Sequence, residues 1–292
     1  MIDMSTKERQ RMIILVAALG LMLVSWLPAF ASVGWFEKDC DCLSVSFLDV
    51  GQGDAILVQT PDGFEMLVDG GRDASVLRQL STKRSFLDRE IDVIVSTHPD
   101  LDHIGGLVDV LKRYKVQTIV RTENENDKSA AAAFAAAAQK ENAEEILADA
   151  GQIINLGAST TIQIFSPTGD ERQWDSNTSS IVLRVVYGNT SFMLTGDAPS
   201  EIEDYLVKTY GTQLDSDVLK LGHHGSKTST SDLWLDTVTP SYAVVSASID
   251  NRYGHPHQDV MQRVFKRNIQ TSHTGTDGTI TFESDGKTVW KK

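Results

Sequence analysis

Nine residues limit what this chain can fold into more than any others: His98-Pro99-Asp100-Leu101-Asp102-His103-Ile104-Gly105-Gly106. Four side chains of metal-ligand type fall within six positions, after the apolar run Ile94-Val95 and before the helically spaced Leu107, Val108, Val110 and Leu111. That is a strand-to-helix turn. On it the four can face inward only if something cationic satisfies them, because burying carboxylates and imidazoles unpaired costs on the order of several kcal/mol each. Gly105-Gly106 lets the backbone turn sharply behind them. Reading Asp102 as an ordinary helix N-cap accounts for one of the four and leaves the others unexplained.

The same pattern recurs along the chain. Glu65–Val68 leads to Asp69-Gly70-Gly71, and Ile94–Thr97 leads to His98. Phe192–Thr195 leads to Gly196-Asp197, and Val218–Leu221 leads to Gly222-His223-His224-Gly225. Val244-Val245-Ser246 leads through a short loop to His255. A lone His or Asp at a strand end is usually a cap or turn residue. Five such ends point instead to a shared site, which in α/β sheets forms where the carboxyl ends of strands converge.

Strand-like segments fall in two runs. The first holds Val45–Leu48, Ala55–Gln59, Phe64–Val68 and Ile91–Thr97. The second holds Ile153–Leu156, Thr161–Phe165, Ser180–Tyr187, Ser191–Leu194, Asp217–Leu221 and Tyr242–Ser246, with a last pair at Thr279–Phe282 and Val289-Trp290. Helical spacing marks Gly105–Tyr114 and His257–Arg267, and an alanine-rich helix is expected over Ala130–Ala150. The expected fold is α/β: two sheets face to face with helices outside, a four-layer αββα sandwich. His273 lies in a Thr/Ser/Gly-rich loop and reads as exposed.

Before this body the chain changes character. Lys7, Arg9 and Arg11 precede the apolar run Met12–Leu27, followed by Pro28 and Ala29-Phe30-Ala31. Residues 1–31 read as a secretory signal peptide or, uncleaved, as a membrane anchor. Either way the remainder is expected to be exported, with the membrane involved only through this segment. Residues 32–42 read as a linker and 43–292 as the functional domain. Cys40 and Cys42, at i, i+2, read as too close for an ordinary bridge and lack the Cys/His neighbours of a zinc site. With 40 acidic against 27 basic residues the net charge is −13, which opposes long-range attraction of polyanions. A nucleic-acid substrate would have to be drawn in locally, by a metal or a small basic patch.

H-x-D-x-D-H-x-G-G resembles the H-x-H-x-D-H motif of the metallo-β-lactamase superfamily, with Asp100 in place of the second His. Asp69-Gly70-Gly71, Thr195-Gly196-Asp197 and His223-His224-Gly225-Ser226 follow the family's order. Within it, Phe47-Leu48-Asp49-Val50-Gly51-Gln52-Gly53-Asp54 and Asn251-Arg252-Tyr253-Gly254-His255-Pro256-His257 resemble the soluble domain of ComEC-type competence proteins. The resemblance covers residues 43–290 and implies the metallo-β-lactamase fold with two divalent metal ions. One would be held by His98, Asp100 and His223 of the His223-His224 pair, the other by Asp102, His103 and His255, with Asp197 bridging. His224 and His257 would stand beside the ligands or touch substrate, and Asp69 would orient ligands without binding metal. The family's usual further His between the cluster and the bridging Asp is absent, since no His lies between His103 and His223.

Three carboxylates and a bridging hydroxide would nearly neutralise two divalent cations, with zinc favoured and manganese or iron compatible with the added Asp100. Such a pair acidifies a shared water and clamps the oxygens of a phosphodiester. Asp102 or Asp100 would receive the proton. Near the metals, His224 and Lys227 are the further catalytic candidates. Gln52, Asp54, Asn177 and Ser226 would bind substrate, the phosphate oxygens included. The expected function is an exported binuclear metal-dependent hydrolase of phosphodiester bonds, in DNA or an envelope polymer. Hydrolysis of a β-lactam or another amide or ester, and a catalytically silent metal-binding module, are the alternatives. One apolar segment does not make a DNA channel, so no transport role is expected, and no protein partner is inferred.

Overall fold

The computed structural model describes residues 40–85, 87–124 and 128–292, the side chain of residue 128 excepted. The segment expected to direct export therefore lies outside the described residues, as does most of the linker. No helix among the described residues is long and apolar enough to cross a membrane. Cys40 and Cys42 are both disulfide-bonded, against the expectation from their spacing.

The first half of residues 41–292 runs β1 (Leu43–Phe47), β2 (Ile56–Gln59), β3 (Glu65–Val68), α1 (Ser75–Lys83), β4 (Glu90–Ser96), α2 (Leu101–Leu111), β5 (Lys115–Arg121), α3 (Lys128–Glu141) and β6 (Glu144–Leu147). The second half runs β7 (Ile153–Leu156), β8 (Thr160–Ser166), β9 (Val182–Tyr187), β10 (Thr190–Leu194), α4 (Ser200–Tyr210), β11 (Val218–Lys220), α5 (Asp232–Val238), β12 (Tyr242–Val245), α6 (Gln258–Lys266), β13 (Gln270–His273), α7 (Thr274–Asp277), β14 (Ile280–Ser284) and β15 (Val289–Lys291). One sheet has the order β15-β14-β1-β2-β3-β4-β5-β6 and the other β13-β12-β11-β10-β9-β8-β7. Each is antiparallel in one half and parallel in the other: β3 to β6 in the first sheet, β10 to β13 in the second.

Three apolar layers hold this together. Val45, Phe47, Val58, Val68 and Val95 meet Ile164, Leu183, Phe192, Leu194 and Val244 between the sheets. Leu57, Leu67 and Ile94 face outward onto Val76 and Leu80 of α1 and onto Ile104, Leu107 and Val110 of α2. Met193, Leu219 and Val245 face the other way, onto Leu206, Trp234, Leu235, Val260 and Val264. The inner strands are covered on both faces, which is why Val93-Ile94-Val95 in β4 is apolar with no alternation. The expected αββα sandwich is the architecture that forms.

Two segments depart from expectation. The alanine-rich helix stops at Glu141, where Asn142 takes a left-handed conformation (φ 59°), and Glu144–Leu147 becomes a strand rather than the last turns of that helix. Parallel pairing with β5 and the contact of Ile146 with the inter-sheet core outweigh local helix propensity there. His273 is half-buried, not exposed. It ends β13, and its Nδ1 accepts a hydrogen bond from the Gly275 N–H.

Backbone contacts bring the loops to one edge. Gly70 N–H donates to His103 O (2.7 Å), Gly106 N–H to Gly71 O (2.9 Å) and Gly71 N–H to Asp54 O (2.7 Å). A Cβ on Gly106 would sit 2.0 Å from Gly70 O and 2.6 Å from Asp73 O, so α2 can lie this close only without a side chain there. Gly106→Ala is expected to lower unfolding free energy by about 2–3 kcal/mol. Urea denaturation followed by circular dichroism checks this, and an unchanged midpoint would show that the approach is not needed for folding.

Candidate metal centre

The parallel strands deliver the site. β3 ends at Asp69, β4 at Thr97-His98, β10 at Thr195-Gly196-Asp197, and β11 at the turn Gly222–Gly225. Asp100 occupies the N-cap position of α2 but makes no side-chain capping bond; its carboxylate instead accepts from Ser176 Oγ. His223 and His224 both adopt left-handed backbone (φ 48° and 57°), followed by Gly225 (φ 81°). For non-glycine residues this conformation costs on the order of 1 kcal/mol or more each, and it swings both imidazoles toward Asp197.

Asp197 Oδ2 is the hub. It lies 3.4 Å from His103 Nε2, 3.4 Å from His224 Nε2, 3.7 Å from His223 Nε2 and 4.0 Å from His98 Nε2. Two carboxylates complete the ring of donors: Asp100 Oδ2 at 3.8 Å from His98 Nε2, and Asp102 Oδ2 at 3.5 Å from His224 Nε2. Donor atoms about 2.0–2.2 Å from a tetrahedral divalent ion lie about 3.3–3.6 Å apart, close to the shorter of these separations. The Nε2 atoms of His98, His103 and His224 are buried with no hydrogen-bond partner, which a bound cation would remedy.

Each imidazole is braced from behind. Thr97 N–H and Oγ1–H both donate to the Asp69 carboxylate (2.9 and 2.7 Å), and His103 Nδ1 donates to Asp69 Oδ2 (2.8 Å). With its proton given to Asp69, Thr97 Oγ1 accepts from His98 Nδ1 at 3.0 Å. Both rings therefore carry hydrogen on Nδ1 and turn Nε2 toward Asp197. Asp54 Oδ1 faces His224 Nδ1 at 3.5 Å as an ion pair, without a hydrogen bond between them. Carboxylate or hydroxyl partners behind ligand imidazoles are what fix their tautomer and direction.

The electrostatics agree. Burial opposes protonation of His103 and His224, yet Asp197, with Asp69 at His103 and with Asp102 and Asp54 at His224, holds His103 well above the usual imidazole range and raises His224 to about 9. In return Asp197 is driven well below the carboxylate range against burial, chiefly by His224 and His103, and Asp102 falls likewise. Burial depresses His98 to about 3, and burial with the neighbouring His223 and His224 depresses His255 to about 4. Asp100 moves upward through burial, against its Ser176 hydrogen bond. A divalent ion would displace the protons that His103 and His224 otherwise hold.

The sequence-derived residues are distributed as follows. His98, Asp100, Asp102, His103, Asp197, His223 and His224 converge, and among the described residues Asp54, His103, Asp197 and His224 place ligand atoms within 4.8 Å of one another. His224 approaches Asp102 and Asp197, and His255 lies 5.4 Å ring to ring from His223, 6.3 Å from His224 and 4.9 Å from His257, its Nδ1 buried without a hydrogen-bond partner and its backbone tied on both sides to Asn251. His257 Nδ1 accepts from the N–H of exposed Lys227 (3.2 Å). Asn177 meets His223 Nδ1 at 3.5 Å, and Ser226 is buried, accepting from Thr228. Gln52 Oε1 is buried without a partner. Lys220, which sequence reasoning missed, is fully buried against Asp54. Its signal was a lysine between Leu219 and Leu221 in an otherwise apolar strand.

A family model, the metallo-beta-lactamase superfamily, matches residues 48–248. The chain belongs to the metallo-β-lactamase superfamily. Among curated relatives it is 30% identical over 264 residues to ComE operon protein 3 of Bacillus subtilis, covering 82% of this chain and 33% of that protein. It is 32% identical over 240 residues to competence protein ComA of Neisseria gonorrhoeae, covering 82% and 32%. The chain thus spans about a third of the length of these relatives. Among solved structures, Igni18, a metallo hydrolase from Ignicoccus hospitalis, superposes with a TM-score of 0.56 at 16% identity, over 83% of this chain and 100% of that one, and shows the shared fold.

Replacing Asp69 by Asn is expected to weaken metal binding 10–100-fold by releasing His103 and Thr97. Titration against a chromophoric chelator measures it, and unaltered affinity would remove Asp69 from the bracing role.

Proposed function

We propose that this superfamily domain is a metal-dependent phosphodiesterase acting on nucleic acid outside the cytoplasm. The observation that carries it is the convergence of four imidazoles on Asp197 Oδ2, flanked by Asp100 and Asp102, in a chain whose curated relatives are competence proteins. The donor set is large enough for more than one ion: His98, Asp100 and His223, together with Asp102, His103, His224 and Asp197, would hold two divalent ions. When bound, such ions supply Lewis acidity toward a phosphodiester and make water acidic enough to attack near neutral pH.

The chain's own groups do the rest. Asp100, partly open to solvent, stands where it could take a proton from water and return it to the departing oxygen. Asn177 and Thr228 line the side of His223 and could offer hydrogen bonds to phosphate oxygens, with exposed Lys227, held at His257, as a source of charge. The −13 net charge elsewhere limits non-specific polyanion binding, so substrate capture falls to this local surface. Zinc suits the imidazole-rich donors and manganese the carboxylates. The disulfide-bonded Cys40 and Cys42 and the leader-like residues 1–31 support an extracytoplasmic setting.

Metal-loaded protein should hydrolyse bis(p-nitrophenyl) phosphate and single-stranded DNA, with activity lost to chelator. Asp197→Ala should lower turnover at least about 1,000-fold, as for other groups that assemble a catalytic centre. A chromogenic cephalosporin should not be turned over. Cephalosporin hydrolysis without phosphodiester hydrolysis would replace this reading by the lactamase one. Full phosphodiester activity in Asp197→Ala would refute the assigned centre.

A further inference from the structure

The most unusual group in the molecule is one the chemistry above does not use. Lys220 lies in β11 between buried Leu219 and Leu221 and is itself fully buried. Its ammonium stands 2.6 Å from Asp54 Oδ2 and 3.6 Å from Asp197 Oδ1, and it donates to Gly196 O at 3.0 Å. Two carboxylates and a carbonyl are the hard oxygen donors that magnesium or manganese also take. We propose that Lys220 is a resident cation of the metal centre, its ammonium occupying, by covalent tether, a place between Asp54 and Asp197 that would otherwise take up a further divalent ion.

Three consequences of the geometry support this. Lys220 faces Asp197 Oδ1 as an ion pair at 3.6 Å, while the imidazoles approach Oδ2. It also claims Asp54 Oδ2, leaving Oδ1 to face His224 Nδ1, so Asp54 acts behind the ring and not as a ligand. Finally, it is the one lysine or arginine ion-paired with the site's carboxylates among the described residues, where Asp54, Asp69, Asp100, Asp102 and Asp197 gather. The two carboxylates hold its ammonium charged against burial. Lys220 is thus a positioning residue that sets how many metal ions the centre accepts. The inference rests on the metal-binding reading alone and not on the substrate, so a failed phosphodiesterase assay leaves it intact.

Metal content decides it. Full-length protein and variants, with folding checked by circular dichroism, are equilibrated with manganese(II) and bound metal per chain is measured by mass spectrometry. Lys220→Ala, which opens the oxygen-lined place, should bind one equivalent more than the parent, and Lys220→Ala/Asp54→Asn should return to the parental count. An unchanged count in Lys220→Ala, or an extra equivalent that persists in the double variant, would overturn the proposal. Should Lys220→Ala not fold, Asp54→Asn decides instead. With the ammonium left uncompensated beside Asp197, manganese affinity should fall at least tenfold with the count preserved. Unaltered affinity, or the loss of one equivalent as expected if Asp54 were itself a ligand, would overturn it.

Discussion

One carboxylate oxygen, Asp197 Oδ2, faces four imidazole nitrogens at 3.4–4.0 Å in a buried pocket. Most of the surrounding structure follows from that concentration of polar atoms. Without a cation, burial of this kind is tolerated only by taking up protons, which is the state His103 and His224 adopt beside Asp197. A divalent ion resolves the same conflict with better geometry, because Nε2 lone pairs and carboxylate oxygens all prefer to surround a positive centre. The site is therefore built for occupancy by charge.

Holding such an arrangement requires support from outside it. Asp69 gathers Thr97 and His103, Thr97 turns His98, and Asp54 faces the back of His224. The supports come from strand ends brought together by hydrogen bonds between loops, such as Gly70 to His103 and Gly71 to Asp54. Gly53 contributes by absence: a Cβ there would meet Asp102 O at 1.9 Å, so only glycine lets the Asp54 loop press against the start of α2. Left-handed backbone at Asp69, His223 and His224 is strain sustained by these contacts.

Much of this was legible in the chain. Strands ending in Asp or His were recognisable because a buried parallel strand is a short apolar run and a ligand at its end changes residue type abruptly. β5, β6 and β13 were not recognised. Lys115–Arg121 mixes polar with apolar residues and Gln270–His273 is polar throughout, as strands at or near sheet edges can be, and Glu144–Leu147 follows an alanine-rich helix whose end is set by Asn142 and by pairing with β5. The i, i+2 cysteines likewise read as unbridgeable, yet both are disulfide-bonded. Asp54, expected among the substrate-binding residues, is buried beside Lys220 and His224, a consequence of loop approach that residue type does not encode.

By itself the sequence determined which residue types would end which strands, and hence the superfamily, the sandwich and the need for a cation, since these depend on local periodicity and on the cost of burying charge. Only the tertiary structure decided direction. Whether His224 or His255 reaches Asp102 depends on a left-handed backbone at one turn and on how the loop from Asn251 is tied, and neither leaves a mark in composition or spacing. The same holds for Lys220. A lysine between two leucines is ambiguous in a linear chain, and becomes an internal cation only where β11 lies beside the ends of β10 and the Asp54 loop, because charge finds its partner through space and not along the chain.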